Sequence, residues 1–169
     1  MNLNKKQKTN SETFMDGIQL VASLLICFPE MGKVTLDSKE KGVWLDFTLK
    51  KQPSEEQMDK ANKLITDSLR LYHEFEGIQG ARMAFFYEAS SLHIFRDIDS
   101  LSKAEIDMLV TLIRDNFVGL LLIDGVKNAD DDAVESQMEM IDYRLNFLRE
   151  NHIAENMVGI REEGRVMVY

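Results

Sequence analysis

Apolar residues recur along the chain at two different spacings, and each change of spacing marks a new structural element. From Ser11 to Phe28 they fall every three or four positions, which is the spacing of one helical face. Ser11 is a favourable N-cap, and Pro29 cannot continue the hydrogen-bond ladder of a helix. The pattern therefore predicts a helix over 11–28. Additional leucines beside the stripe leave it little polar surface, so we expect this helix to be covered on most sides.

Six short segments have the composition of β-strands and occur in pairs around turn-forming residues. The clearest is Val43–Leu49, in which apolar and polar residues alternate so that one face is buried. The predicted pairs are Lys33–Asp37 with Val43–Leu49, Ala81–Glu88 with Leu92–Ile98, and Met157–Ile160 with Arg165–Tyr169. The sequence thus predicts three β-hairpins.

Capping residues indicate where two further helices begin. Ser54 is followed by Gln57, and Ser102 by Glu105, which is the spacing of a capping box. The apolar stripes that follow predict one helix from Ser54 to near Gly77 and another from Ser102 toward Ile123. The run 118–125 could be either helix or strand, and the continuing helical spacing favours helix. A last helix is predicted over 131–150.

The two central hairpin-helix segments resemble each other. Residues 43–76 can be placed over 91–124, which aligns Phe47 with Phe95 and Ser54 with Ser102. We interpret this as one hairpin-helix unit used twice. The elements together predict an α+β fold, in which an antiparallel sheet of up to six strands is covered by about four helices. A flexible tail over 1–10 would precede a single domain over 11–169.

Composition and charge exclude several classes of partner. Apolar residues make up 44% of the chain, and the net charge is −9, so the average surface repels nucleic acid and anionic lipid. The apolar run Ile18–Phe28 is too short to cross a bilayer. The single Cys27 cannot form an internal disulfide, which is typical of a reducing compartment. We therefore expect a cytoplasmic protein that binds neither nucleic acid nor membrane.

No pattern in the sequence supports a metal, a cofactor or a catalytic residue. The loop Asp124–Glu135 has the length of a calcium loop, but Val126 and Ala129 stand where an oxygen ligand and a glycine are required. The three histidines lack the spacing of a zinc site. We expect the loop Asp124–Glu135 to be a solvated linker, and we expect the chain to bind no metal or cofactor.

One group of titratable residues is a candidate ligand-binding site. His93, Arg96 and Asp97 lie close together at the end of a predicted strand. The alternative is ordinary ion pairing on the surface of the sheet, which we favour because such pairs are common and contribute little energy.

The last predicted helix carries a candidate oligomer interface. Its apolar residues follow the spacing four, three, four, three along one face. They are Val134, Met138, Ile141, Leu145 and Leu148. We expect a non-enzymatic regulatory or scaffolding protein that acts as a homodimer, or that binds another protein. The alternative is a small-ligand-binding protein or enzyme whose site lies between sheet and helices.

Overall fold

The computed structural model of the chain describes residues 2–124 and 130–169, with side chains from residue 11 onward. Helices and β-hairpins alternate along the chain. The helices are α1 (Asn2–Cys27), α2 (Glu55–Phe75), α3 (Lys103–Asn116), α4 (Asp131–Glu139) and α5 (Ile141–Asn151). The strands are β1 (Met31–Asp37), β2 (Gly42–Thr48), β3 (Met83–Glu88), β4 (Ser91–Asp97), β5 (Met157–Glu162) and β6 (Arg165–Val168). The predicted α+β class is confirmed.

The six strands of the described residues form one antiparallel sheet. Their order is β3-β4-β2-β1-β5-β6, so the first two hairpins meet at the centre, where β2 pairs with β4. The third hairpin joins at β1 through β5. Strands β3 and β6 are therefore the edges of the sheet.

One face of the sheet carries the core. Paired residues of antiparallel strands point to the same side, so the register defines rows that cross the sheet. The row on the core side runs through Phe85, Ile94, Leu45, Val34, Gly159 and Val168. Helix α1 packs directly on this row, because a Cβ atom added at Gly159 would lie 2.2 Å from Cγ1 of Val21. The helices bury their apolar residues against this side.

The neighbouring row points to the other side of the sheet, which we call the open face. It runs through Phe86, His93, Asp46, Lys33, Ile160 and Met167. Phe86 and Lys33 are exposed here, and His93 is partly exposed. Over β1 to β4 this row is polar and aromatic, whereas Ile160 and Met167 keep it apolar in β5 and β6.

Two helices have different bounds from those predicted. Helix α1 begins at Asn2 rather than Ser11, so the backbone of the polar start is helical. Helix α3 ends at Asn116 and does not continue toward Ile123. Gly119 has a φ of +77°, and Leu121 then forms an isolated bridge with Leu49. The prediction of helix through this run was wrong, because its apolar residues extend the edge of the core without continuing the helix.

The last predicted helix is divided in two at Met140, where α4 ends and α5 begins. In α5, Ile141, Leu145 and Leu148 are fully buried within the single chain. Val134 and Met138 on α4 are partly buried against the same core. Their periodicity is therefore explained by packing inside the chain, chiefly against α1, and we no longer assign these five residues to an oligomer interface.

The duplicated unit is not confirmed at the level of residues. Val43 pairs with Arg96 and Trp44 with Phe95, so Phe95 lies on the open face. Phe47 shares the core side with Val43, because residues two or four positions apart in a strand share a face. The predicted equivalence of Phe47 with Phe95 therefore places them on opposite faces. Only the order of elements, a hairpin followed by a helix, occurs twice.

Most of the predicted linker and calcium loop, residues 125–129, lies outside the described residues. Asp130 is the N-cap of α4, and its side chain accepts a hydrogen bond from the backbone of Asp132 at 3.2 Å.

Candidate functional site

A buried arginine lies at the centre of the main polar cluster. Arg96 is fully buried, because its position in β4 continues the inward alternation of Leu92 and Ile94. A guanidinium in such a row needs partners, since burial of an unpaired charge is strongly unfavourable. The chain supplies those partners from α2, α3 and the turn after β4.

The main partner of Arg96 is Glu105 in the first turn of α3. Arg96 donates two hydrogen bonds to it, from Nε to Oε2 at 2.6 Å and from Nη2 to Oε1 at 2.8 Å. Burial alone would lower the pKa of the Arg96 guanidinium, but Glu105 and Asp97 outweigh that effect and hold the pKa above its ordinary value. The result is a two-pronged ion pair that joins the sheet to α3.

This ion pair changes how α3 is capped. Ser102 accepts a hydrogen bond from the backbone of Glu105, as predicted. The Glu105 side chain bonds Arg96, whereas in α2 the Gln57 side chain accepts from the backbone N–H of Ser54. The serine caps both helices, but the side chain three positions later completes the capping box only in α2 and forms the buried ion pair in α3.

Asp97 completes the other side of the cluster. It bonds Arg96, accepts from the backbone N–H of Arg82 at 2.7 Å, and accepts from the Ser100 hydroxyl at 2.8 Å. Burial would raise the pKa of Asp97, but these hydrogen bonds and the Arg96 charge together lower it below its ordinary value. Asp97 therefore remains a carboxylate at neutral pH.

His73 connects the cluster to solvent. It lies near the end of α2, and its Nε2 bonds Glu105 and lies 3.3 Å from Nη2 of Arg96. Its side chain also lines a cavity of about 520 Å³ between α2 and the segment that leads into β3. Other residues around this cavity include Thr66, Leu69, Ile78 and Met83. The wall formed by Leu69, Ile78 and Met83 is apolar, whereas Arg70, Glu74 and Gln79 add polar groups to the lining. Of the polar residues that line the cavity, His73 is the one that bonds the buried Glu105.

A second polar group lies on the open face. His93 Nδ1 is 2.7 Å from Oδ1 of Asp46, and its ring stacks on Phe86 with centroids 4.7 Å apart. Burial raises the pKa of Asp46, and the hydrogen bond and charge of His93 offset only part of that rise. Trp44 lies edge-on to Phe86 at 5.7 Å, and these residues line a shallow hollow of about 230 Å³. Its small size limits it to a small group or a single side chain.

The structure therefore divides the predicted trio. Arg96 and Asp97 are bonded to each other, and Asp97 is the last residue of β4. His93 lies three positions before Arg96 and points to the opposite face, so it belongs to a separate group.

His73 and Glu105 were not predicted to belong to this cluster. A signal was available, because Leu92, Ile94 and Arg96 follow the alternation of a buried row. A charged residue in such a row requires an opposite charge from a covering helix. The sequence does not say which helix supplies it.

The surface of α2 carries a further feature. Three large apolar side chains on it are exposed: Leu64 at 41%, Leu71 at 63% and Phe75 at 89%. They are spaced seven and four residues apart, so they form one line along the helix, which we call the α2 stripe. Ala61, Ile65 and Leu69 on another side of α2 are buried. Helix α2 therefore has one apolar face that is buried in the core and a second apolar line, the α2 stripe, that is exposed to solvent.

Among the described residues, no helix combines the length and the apolar character that crossing a bilayer requires. Searches of protein-family models, of curated proteins and of solved structures gave no match to this chain.

Proposed function

We propose that this chain is a non-enzymatic cytoplasmic regulatory or scaffolding protein that acts as a homo-oligomer through protein-protein contacts. The observation that carries the proposal is the α2 stripe, in which Leu64, Leu71 and Phe75 are exposed on one line. Aligned apolar residues on a helix surface are typical of helix-helix contact between chains. The contact surface therefore lies on α2, and not on the last predicted helix.

Two substitutions in the stripe test this proposal. We expect the wild-type chain to be a dimer in light scattering, and Leu71→Glu with Phe75→Glu to convert it to a folded monomer. Both side chains are exposed, so the change leaves the core intact. Tyr143→Glu is the matched control, because Tyr143 is 58% exposed on α5, away from the stripe.

The result shows whether the chain self-associates and whether it does so through the α2 stripe. A wild-type monomer at every concentration would refute self-association. Unchanged dimerisation in the double variant would place the contact elsewhere on the chain. Ile141→Glu is expected to unfold the chain, since Ile141 is fully buried.

A second function is favoured by one specific observation, which is the cavity beside His73. In this alternative the chain binds a small ligand against the apolar wall of Leu69 and Met83, and His73 donates or accepts a hydrogen bond at its polar end. We expect a thermal shift with a ligand from a metabolite panel, abolished by Met83→Trp, which fills the cavity. A shift that persists in Met83→Trp would show binding at another site, and no shift with any ligand would remove support for this alternative.

A further inference from the structure

The α2 stripe has charged residues arranged symmetrically along one side. Lys60, Asp67 and Glu74 are seven residues apart, so they lie two helical turns from one another on the same side of α2. Lys60 and Glu74 are both exposed and lie at equal distances from Asp67, with opposite charge. This arrangement is complementary to itself when the direction of the helix is reversed.

The relative direction of two packed α2 helices determines which of their charged residues face one another. If two copies of α2 packed in parallel and in register, Lys60 would face Lys60 and Glu74 would face Glu74. In an antiparallel pair centred on Asp67, Lys60 of each copy faces Glu74 of the other. Copies that each carry a net charge of −9 repel one another on average, so local pairs of this kind are needed to select a contact.

The two ends of the α2 stripe are lined by different residues. A hollow of about 250 Å³ is lined by Lys60, Lys63, Leu64 and Asp67 at one end of the stripe. Leu71 and Phe75 are exposed at the other end, where they line a second hollow of about 470 Å³ together with Glu74. Antiparallel pairing places the end of each copy that carries Leu71 and Phe75 against the end of the other copy that carries Lys60 and Leu64.

Asp67 lies at the symmetry axis of such a pair, where it would meet its own copy. Its Oδ1 accepts a hydrogen bond from Nη2 of Arg70 at 3.2 Å, so each carboxylate brings its own positive partner. The Arg70 guanidinium offsets the repulsion between the two Asp67 side chains.

We propose that the partner of the α2 stripe is a second copy of the same chain, packed antiparallel about a two-fold axis at Asp67. Leu64 of each copy then packs near Leu71 of the other, and Lys60 pairs with Glu74. An isologous contact of this kind uses one surface patch twice and closes at the dimer. The inference rests on the proposed function, since it specifies the partner and direction of the same surface.

A charge-exchange series tests the direction. Lys60→Glu alone is expected to weaken the dimer about tenfold, because two symmetric Lys-Glu pairs become Glu-Glu contacts. Glu74→Lys alone is expected to have a similar effect. The double variant restores both pairs with the signs exchanged, so its dissociation constant in sedimentation equilibrium should return to near the wild-type value.

Cross-linking tests the axis independently. Asp67→Cys should form a disulfide between two copies under mild oxidation, since the two thiols meet at the axis. Glu139→Cys is the control, because Glu139 is exposed on α4 away from the stripe. The native Cys27 is buried and does not compete.

The results separate the inference from the proposed function. A dimer whose affinity does not respond to the charge exchange, or that cross-links equally through both cysteines, overturns the antiparallel α2 contact and leaves self-association standing. A chain that is monomeric at all concentrations overturns both. Rescue by the double variant, with cross-linking only at position 67, supports both.

Discussion

Removing the carboxylate of Glu105 should cost a large part of the stability of this fold. Glu105→Ala deletes both acceptors of the two-pronged ion pair, while Arg96 stays fully buried. Charge-assisted hydrogen bonds contribute about 1.5–3 kcal/mol each. A buried pair broken on one side typically loses about 3–5 kcal/mol, because the remaining charge has no full compensation. We expect the lower half of that range, since Asp97 and Ser100 still accept from Arg96.

The free energy of unfolding can be measured by urea titration followed by circular dichroism. A loss of about 3–4 kcal/mol is a large share of the roughly 5–15 kcal/mol that stabilises a typical domain. It should lower the melting temperature by roughly 6–16 °C for a chain of this size. Glu135→Ala is the control, because Glu135 is exposed, and we expect a change within about 0.5 kcal/mol.

A triple variant distinguishes the loss of the ion pair from the burden of an uncompensated buried charge. Arg96→Met, Glu105→Leu and Asp97→Asn together remove the three buried charges of the cluster and keep apolar volume in place of the ion pair, so we expect this variant to be more stable than Glu105→Ala alone. If Glu105→Ala costs less than about 1 kcal/mol, the ion pair does not hold α3 to the sheet and the reasoning is wrong.

Three further predictions follow from buried groups. Burial raises the pKa of Cys27 to about 11, so a thiol reagent at pH 8 should modify it much more slowly in the native chain than in urea, and equal rates would contradict its burial. Gly159→Ala should lower the urea midpoint, by about 1–3 kcal/mol in stability, because the new methyl would lie 2.2 Å from Cγ1 of Val21; an unchanged midpoint would show that α1 can move away from β5. The pKa of Asp97 is lowered from 3.8, so its contribution to stability is present above that value and is lost as the pH falls through the folded-state pKa. Urea titrations between pH 5 and 2 should therefore show a steeper loss of stability in the wild type than in Asp97→Asn, and equal slopes would contradict the lowered pKa.

The order and type of the elements were largely predictable, because they depend on local patterns. The alternation in Val43–Leu49 and the caps at Ser54 and Ser102 correspond to β2, α2 and α3 in the structure. The end of α3 was not predictable from spacing. Leu120 and Leu121 keep the helical period, but Gly119 takes a positive φ, and Leu121 bridges Leu49 just after the end of β2.

The candidate site was only partly predictable. Arg96 and Asp97 were identified as titratable neighbours, and the structure bonds them to each other. Their partner Glu105 was assigned to a cap, because the sequence shows which residue begins a helix but not which strand that helix covers. His93 was grouped with them by proximity in sequence, although a difference of three positions in a strand places it on the other face.

The sequence alone determined which residues are apolar, where helices and hairpins begin, and that the sheet has one buried face. These properties follow from spacing and capping, which act over a few residues. The tertiary structure decided that Ile141 and Leu145 fill the core of their own chain, whereas Leu71 and Phe75 remain outside. Both pairs occur on amphipathic helices, and only the way each helix packs on the sheet determines which apolar line is covered and which is left for a second chain.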